Sequence, residues 1–136
     1  MTTRRQFIGL LPAGVFLATT RISHPTPGAT RVSNHPTPRP GITAAKVLTR
    51  DQLGDHKDAV EVFDMVRQIP HVVDGIRCQC GCADLESKYS LLSCFEAEGM
   101  AGHCEVCKNE GRLVYRLHKQ GRSLQEIRDA IDAKFG

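Results

Sequence analysis

The chain has 136 residues with six cysteines, no tryptophan and a formal net charge of +3. The charge is unevenly distributed, because the first 50 residues hold seven Lys and Arg and no acid, whereas residues 51–136 hold eleven bases against fifteen acids. A mildly acidic C-terminal part without a basic stripe argues against nucleic acid as a partner. Neither a Gly-x-Ser-x-Gly nor a His-Glu-x-x-His motif is present, so the sequence does not support a hydrolase.

Residues 1–21 have the form of a twin-arginine export signal. Arg4 and Arg5 are followed at once by an apolar segment, Phe7 to Ala18, which is shorter than the ~20 residues that a membrane-spanning helix needs. We therefore expect a periplasmic or other extracytoplasmic protein that meets the membrane only through an uncleaved signal. The resemblance to this signal also implies export in the folded state, which favours a cofactor acquired beforehand.

Residues 22–48 are predicted to be a proline-rich linker. Five of the seven prolines lie between residues 22 and 45, and the sequence His-Pro-Thr-Pro occurs twice, starting at His24 and at His35. Proline lacks a backbone donor and favours extended conformations. The composition therefore predicts a semi-rigid tether that does not pack, with both histidines in solvent.

Residues 49–136 predict a small all-α domain of about three to four helices. Asp55 is expected to cap a first helix with apolar residues at three- and four-residue spacing, and Pro70 to stop or restart it. A second helix should end in a basic turn before Gly121, and a capping box at Ser123–Glu126 should begin the last one. The last two helices would form a hairpin that closes over the first.

All six thiols lie within thirty residues, in a glycine-containing window between the predicted helices: Cys78, Cys80, Cys82, Cys94, Cys104 and Cys107. Packing gives no reason for such a concentration, so the window should be cross-linked by metal or by disulfides, or should be a redox centre. Six sulfurs exceed the four of a tetrahedral zinc site. The surplus suits thiolate-rich binding of a soft ion, with sulfurs that bridge two or more metals.

We therefore predict that all six cysteines bind a copper or zinc ion, with His103 as a candidate further ligand. Met100 also lies in the window, but a methionine there is more simply explained as a loop or core residue. Such a protein would sequester the ion or pass it to a metalloprotein.

Local spacing divides the cysteines into two arms. The thiols of Cys78, Cys80 and Cys82 fall on one side of an extended segment, with Cα atoms ~6.6 Å apart, at the upper limit for a disulfide. Gly81 lets the same segment curl around an ion. The other arm, Cys104 and Cys107, is expected at a helix N-terminus, where the helix dipole lowers thiol pKa values.

Two alternatives remain open. Cys104 and Cys107 fit a thiol-disulfide redox factor, because a low-pKa dithiol can exchange disulfides as well as bind metal. Alternatively, three disulfides would staple a structural domain, as small exported domains often require.

The cysteine window resembles that of the bacterial PCYCGC-motif family of exported proteins and lipoproteins. Arg77 and Gln79 replace the proline and the tyrosine of that motif, but no thiol is lost. The resemblance implies a fold and a cysteine set without implying an activity. The matching segments are Cys78, Cys80–Cys82, Leu91–Phe95, Gly102–Cys107 and Lys119–Arg128.

The C-terminal half is similar, more weakly, to the thiol-bearing helical subunit of cytochrome c maturation. The shared features are a Cys-x-x-Cys pair, a following helix and a Gly-Arg-Ser turn. This similarity implies a redox role for Cys104 and Cys107 in haem-protein or copper-oxidase maturation. The first three cysteines have no counterpart in it.

Overall fold

Four α-helices account for most of the regular structure in residues 34–84 and 88–136, the part of the chain that this computed structural model describes. Within it there is no β-strand, only an isolated antiparallel bridge between Val47 and Glu96. The predicted all-α class with a cysteine-rich region between helices is confirmed. The helices are α1 (Val60–Gln68), α2 (Pro70–Val73), α3 (Glu105–Lys119) and α4 (Leu124–Phe135).

The export-signal segment and the first part of the linker, residues 1–33, lie outside the described residues. The division of the chain into signal, linker and domain stays a prediction. None of the helices in the described part is both long and apolar enough to cross a membrane.

Helix α3 is the central element, and α1, α2 and α4 all pack against it. Gly111 allows a close approach on one side, because a Cβ atom there would lie 2.9 Å from both Phe95 Cζ and Val62 Cγ2. The bare backbone of α3 therefore admits α1 and a buried 3₁₀ turn, Leu91–Phe95, which carries one of the cysteines.

The helix ends match the sequence signals in one case and differ in another. The capping box of α4 is present, since Ser123 Oγ accepts from the Glu126 N–H and a Glu126 carboxylate oxygen accepts from the Ser123 N–H. Asp55 does not cap α1. Three-residue turns precede that helix, so it begins later than expected, with Ala59 at the N-cap and no side-chain cap.

The cysteine window contributes more to the core than its glycine content predicts. Every residue of the 3₁₀ turn Leu91–Phe95 is buried, and the Phe95 ring packs edge-on against Phe63 with centroids 4.8 Å apart. Four of the six cysteines are themselves buried. Packing therefore orders much of the window.

Residues 34–48 pack against the helices, which differs from the expected tether that does not pack. Their backbone presents carbonyl oxygens, and donors from the helical part bind them. Arg128 Nη2 donates to the Pro36 carbonyl at 2.7 Å, and Tyr89 Oη donates to the Thr37 carbonyl at 2.6 Å. Proline cannot donate a backbone hydrogen bond, but its carbonyl still accepts one.

His35 is buried and not solvated, with its side chain 1% exposed. Its Nδ1 accepts from the Arg77 N–H at 2.8 Å, so the proton of the neutral ring lies on Nε2, which donates to Asp132 Oδ1 at 3.0 Å. The ring therefore fixes the backbone next to Cys78. His24, its counterpart in the repeat, lies outside the described residues.

We expect His35 to make the stability of the domain pH-dependent. Burial lowers the pKa of His35, although the nearby Asp132 carboxylate acts to raise it. Because the unfolded state then binds the proton more readily, stability is complete above about pH 6.5 and declines as the pH falls toward the folded-state pKa. Urea unfolding of the reduced, chelator-treated protein at about pH 7.5 and pH 5.5 measures this decline.

His35→Gln is the matched variant, because glutamine can both accept and donate but does not titrate. It should be less stable at the higher pH by about 1–3 kcal/mol, since one of the two hydrogen bonds is imperfectly replaced. Its loss of stability between the two pH values should be smaller than that of the wild type. An equal loss in both proteins would contradict the role given to His35.

Candidate metal centre

Four cysteines converge on one point in the described part of the chain. The Sγ atoms of Cys78, Cys80, Cys94 and Cys107 all lie within 4.8 Å of one another. They come from three segments: the turn after α2, the 3₁₀ turn Leu91–Phe95 and the first turn of α3. We call these residues the four-cysteine group.

Backbone contacts bring the segments of the four-cysteine group together. The Leu91 N–H donates to the Ile76 carbonyl at 2.7 Å, which joins the start of the 3₁₀ turn to the chain just before Cys78. The Ala101 N–H donates to the Cys94 carbonyl at 2.9 Å, close to the start of α3. The convergence is thus built into the fold.

The separations of the sulfur atoms suit a metal ion. Cys78 Sγ lies 3.1 Å from Cys80 Sγ, and Cys107 Sγ lies 3.5 Å from both. Four sulfurs placed tetrahedrally at ~2.3 Å from a zinc ion are ~3.8 Å apart, so small side-chain movements would accommodate the ion. A disulfide needs ~2.05 Å, and all six cysteines are free thiols here.

The four-cysteine group is buried except at one corner. Cys78, Cys94 and Cys107 are between 0 and 2% exposed, whereas Cys80 is half-buried. An ion would therefore be shielded on most sides, with Cys80 as the ligand nearest to solvent.

Protons are shared unequally among the buried thiols. Hydrogen bonds from Cys107 and Cys78 lower the pKa of Cys94 to about 6, although burial opposes this. Hydrogen bonds with Cys78 and Cys94, together with burial, raise the pKa of Cys107. The group therefore favours one thiolate, stabilised by neighbouring thiols.

The expected location of the second arm is confirmed, but its expected acidity is wrong for Cys107. Cys104 is the N-cap residue of α3 and Cys107 lies in the first turn. The helix dipole favours a thiolate there. Competition with two neighbouring thiols and the loss of solvent outweigh it, so Cys94 becomes the acidic thiol.

Glu110 is a buried residue of the site that the sequence analysis missed. It lies three residues after Cys107, its Oε1 accepts from the Gln79 N–H at 2.8 Å, and its Oε2 lies 3.1 Å from Cys78 Sγ, within hydrogen-bond distance. Burial and the nearby Cys78 raise the pKa of Glu110 to about 9. In the sequence, an acidic residue on the apolar face of α3 was the available signal. In the structure, Glu110 holds the turn that carries Cys78.

The remaining predicted ligands lie outside the four-cysteine group. Cys82 is buried beside it, with its Sγ 2.8 Å from Cys80 Sγ, and burial together with this hydrogen bond raises the pKa of Cys82 to about 12. Cys104 is half-buried at the start of α3. His103 is exposed, and its ring stands edge-on to His56 with centroids 4.1 Å apart.

Gly81 turns the backbone of the first arm, as its lack of a side chain predicted. Its φ of +88° is in the left-handed region that side chains disfavour. This conformation lets Cys80 and Cys82 flank a tight turn with their sulfurs in contact.

Comparison with protein-family models, with curated proteins and with solved structures gives no significant match to this chain. The resemblances to the PCYCGC-motif family and to the cytochrome c maturation subunit therefore stay predictions. What the chain shows on its own is a helical domain with four cysteines at distances compatible with metal binding.

Proposed function

We propose that this protein binds a soft or borderline metal ion, Cu(I) or Zn(II), through the four-cysteine group and sequesters it or passes it on. The observation that carries the proposal is the convergence of four free thiols from three separate segments within 4.8 Å. Sulfur ligands favour Cu(I) and zinc, whereas magnesium and calcium favour oxygen.

The arrangement supports a binding role over a catalytic one. A catalytic zinc site leaves a coordination position open for water or substrate, whereas four protein sulfurs close the shell. Three of the four sulfurs are buried, so substrate access to the ion would be poor. Exchange of the ion would proceed at the Cys80 corner.

Export of the loaded protein fits this role. The twin-arginine segment implies transport of a folded chain, so the ion would be acquired in the cytoplasm, where thiols are kept reduced. The bound ion would then protect the thiols from oxidation at an extracytoplasmic destination.

Metal and thiol measurements on one anaerobic preparation test the proposal. The full chain, purified from cytoplasm and supplied with Zn(II), should bind one ion per chain and should lose thiol reactivity in proportion. Substitution by Co(II) should give the absorption bands of a tetrahedral thiolate site. A protein that takes up neither Zn(II) nor Cu(I) would overturn the proposal, and three fixed disulfides in the exported form would support the stapled-domain alternative.

Two serine variants assign the ligands. Cys94→Ser removes a member of the four-cysteine group and should abolish the tetrahedral Co(II) spectrum. Cys104→Ser is the matched control, because this thiol lies in the same window but outside the group. Equal losses in the two variants would refute the assignment of these four ligands.

A further inference from the structure

Met100 has an exposed side chain whose sulfur faces a buried thiol. The residue is 48% exposed, one of the most exposed large apolar residues in the described part of the chain. Its Sδ nevertheless lies 3.4 Å from Cys82 Sγ, and Cys82 is only 5% exposed. An isolated exposed methionine needs no explanation, but a thioether directed at a thiol is a pair of soft ligands.

A third sulfur completes this arrangement. Cys82 Sγ also lies 2.8 Å from Cys80 Sγ, so the sulfurs of Cys80, Cys82 and Met100 form a continuous row. The row begins inside the four-cysteine group, to which Cys80 belongs, and ends at the surface with Met100.

The backbone holds the row in place. The turn at Gly81 fixes the two thiols relative to each other. On the other side, the Met100 carbonyl accepts from the N–H groups of His103 and Cys104 at 3.0 and 2.9 Å, which ties it to the start of α3. The buried Ala101 anchors the same loop. The three sulfurs are therefore presented by ordered backbone.

We propose that Cys80, Cys82 and Met100 form a second site, specific for Cu(I), which shares Cys80 with the four-cysteine group. This inference rests on the proposed function, because the second site shares Cys80 with the four-cysteine group. A neutral thioether is a soft ligand that suits Cu(I), whereas protein zinc sites are built from Cys, His and acidic side chains. A thiolate can bridge two ions, so Cys80 can serve both sites.

The position of the second site makes it the route by which Cu(I) reaches the buried group. Met100 meets the ion at the surface. Cys82 and Cys80 replace the ligands of the molecule that delivers the Cu(I), and those ligands leave with that molecule. Cys80 then shares the ion with the buried sulfurs. The copper stays in the +1 state throughout. Each thiol that becomes a ligand releases its proton to water.

Anaerobic titrations of the reduced full-length protein test this proposal. Cu(I) is supplied in competition with a chromophoric Cu(I) chelator, and Zn(II) is titrated separately. The wild type should bind one Zn(II) and two Cu(I). Met100→Leu should bind Zn(II) as the wild type does, but should bind one of the two Cu(I) ions roughly tenfold more weakly, which corresponds to about 1.4 kcal/mol.

Two further variants complete the design. Cys82→Ser should lose the second Cu(I) and keep the single Zn(II). Met65→Leu is the control for the loss of a thioether, because Met65 lies on α1 beside Tyr115 in a surface groove. It should leave both titrations unchanged.

The outcomes separate the two proposals. A wild type that binds neither ion refutes the proposed function. A wild type that binds Zn(II), combined with an unchanged Cu(I) titration in Met100→Leu, refutes the second site and leaves the four-cysteine group in place. Loss of Zn(II) binding in a folded Cys82→Ser protein also refutes it, because Cys82 would then belong to the first site. If Cys82→Ser fails to fold, the comparison of Met100→Leu with Met65→Leu still decides.

Discussion

Zinc loading is expected to stabilise the reduced domain by about 4 kcal/mol when free zinc exceeds its dissociation constant by about 1,000-fold. The cause is that the four-cysteine group combines three segments of the chain, which are apart in the unfolded state. For a domain of about 100 residues, each kcal/mol corresponds to a rise of roughly 4–8 °C in Tm. Thermal unfolding with and without zinc, followed by addition of a chelator, should show a rise of roughly 15–30 °C and its reversal.

Cys107→Ser and Cys104→Ser are the controls for this effect. Cys107 is fully buried and contacts the sulfurs of two other members of the group. Its serine variant should therefore unfold at the same temperature with and without zinc. Cys104→Ser should respond as the wild type does. A zinc-induced rise of equal size in Cys107→Ser would show that the ion stabilises the protein from another site.

The features that the sequence predicted correctly are those determined by residues close together along the chain. The capping box at Ser123 and the apolar periodicity of α3 act within a few residues, and both are present. The same holds for Cys104 and Cys107, which lie at the start of α3 because the helix begins beside them. Gly81 likewise adopts a positive φ of +88°, a local conformation that glycine favours.

Which cysteines meet depends on long-range packing, and spacing along the chain does not encode it. Cys94 reaches Cys78 and Cys107 because the turn Leu91–Phe95 is buried against the bare backbone at Gly111. No local sequence pattern around Cys94 predicts that contact. The sequence therefore identified the six thiols but did not separate the four of the group from Cys82 and Cys104.

The proline-rich segment, residues 34–48, shows the same limit of sequence-based prediction. Its composition predicts an extended backbone, but docking requires donors that lie far away in sequence, such as Tyr89 and Arg128. Composition shows that the segment has free carbonyl acceptors. It does not show which distant side chains will donate hydrogen bonds to them.

Replacing Asp74 by alanine is expected to lower the free energy of unfolding by about 1–3 kcal/mol, the usual cost of removing the acceptor of buried or partly buried donors. The Asp74 carboxylate is fully buried and accepts from Arg39 Nη2 at 2.7 Å, from the Arg39 N–H at 2.8 Å and from Ser90 Oγ at 2.8 Å. It thereby joins the end of α2 to the proline-rich segment and to the 3₁₀ turn that carries Cys94. Alanine would remove the acceptor shared by the Arg39 N–H, the Arg39 guanidinium and the Ser90 hydroxyl.

The pH dependence of this carboxylate gives a second readout. Burial alone would raise the pKa of Asp74, but hydrogen bonds from Arg39 and Ser90 outweigh burial and hold it below its usual range. The unfolded state then binds the proton more readily, so the stabilisation is complete above about pH 4 and is lost as the pH falls through the folded-state pKa. Acid unfolding of Asp74→Ala should lack this contribution.

Asp64→Ala is the matched control, because Asp64 pairs with Arg50 at the surface of α1 and should contribute less than about 1 kcal/mol. Urea unfolding of the metal-free proteins measures both variants. Asp74 is also four residues before Cys78, so its removal should loosen the first arm and weaken zinc binding, whereas Asp64→Ala should bind zinc normally. Equal stabilities of the two variants would mean that the buried network around Asp74 does not hold the proline-rich segment and the cysteine arms together.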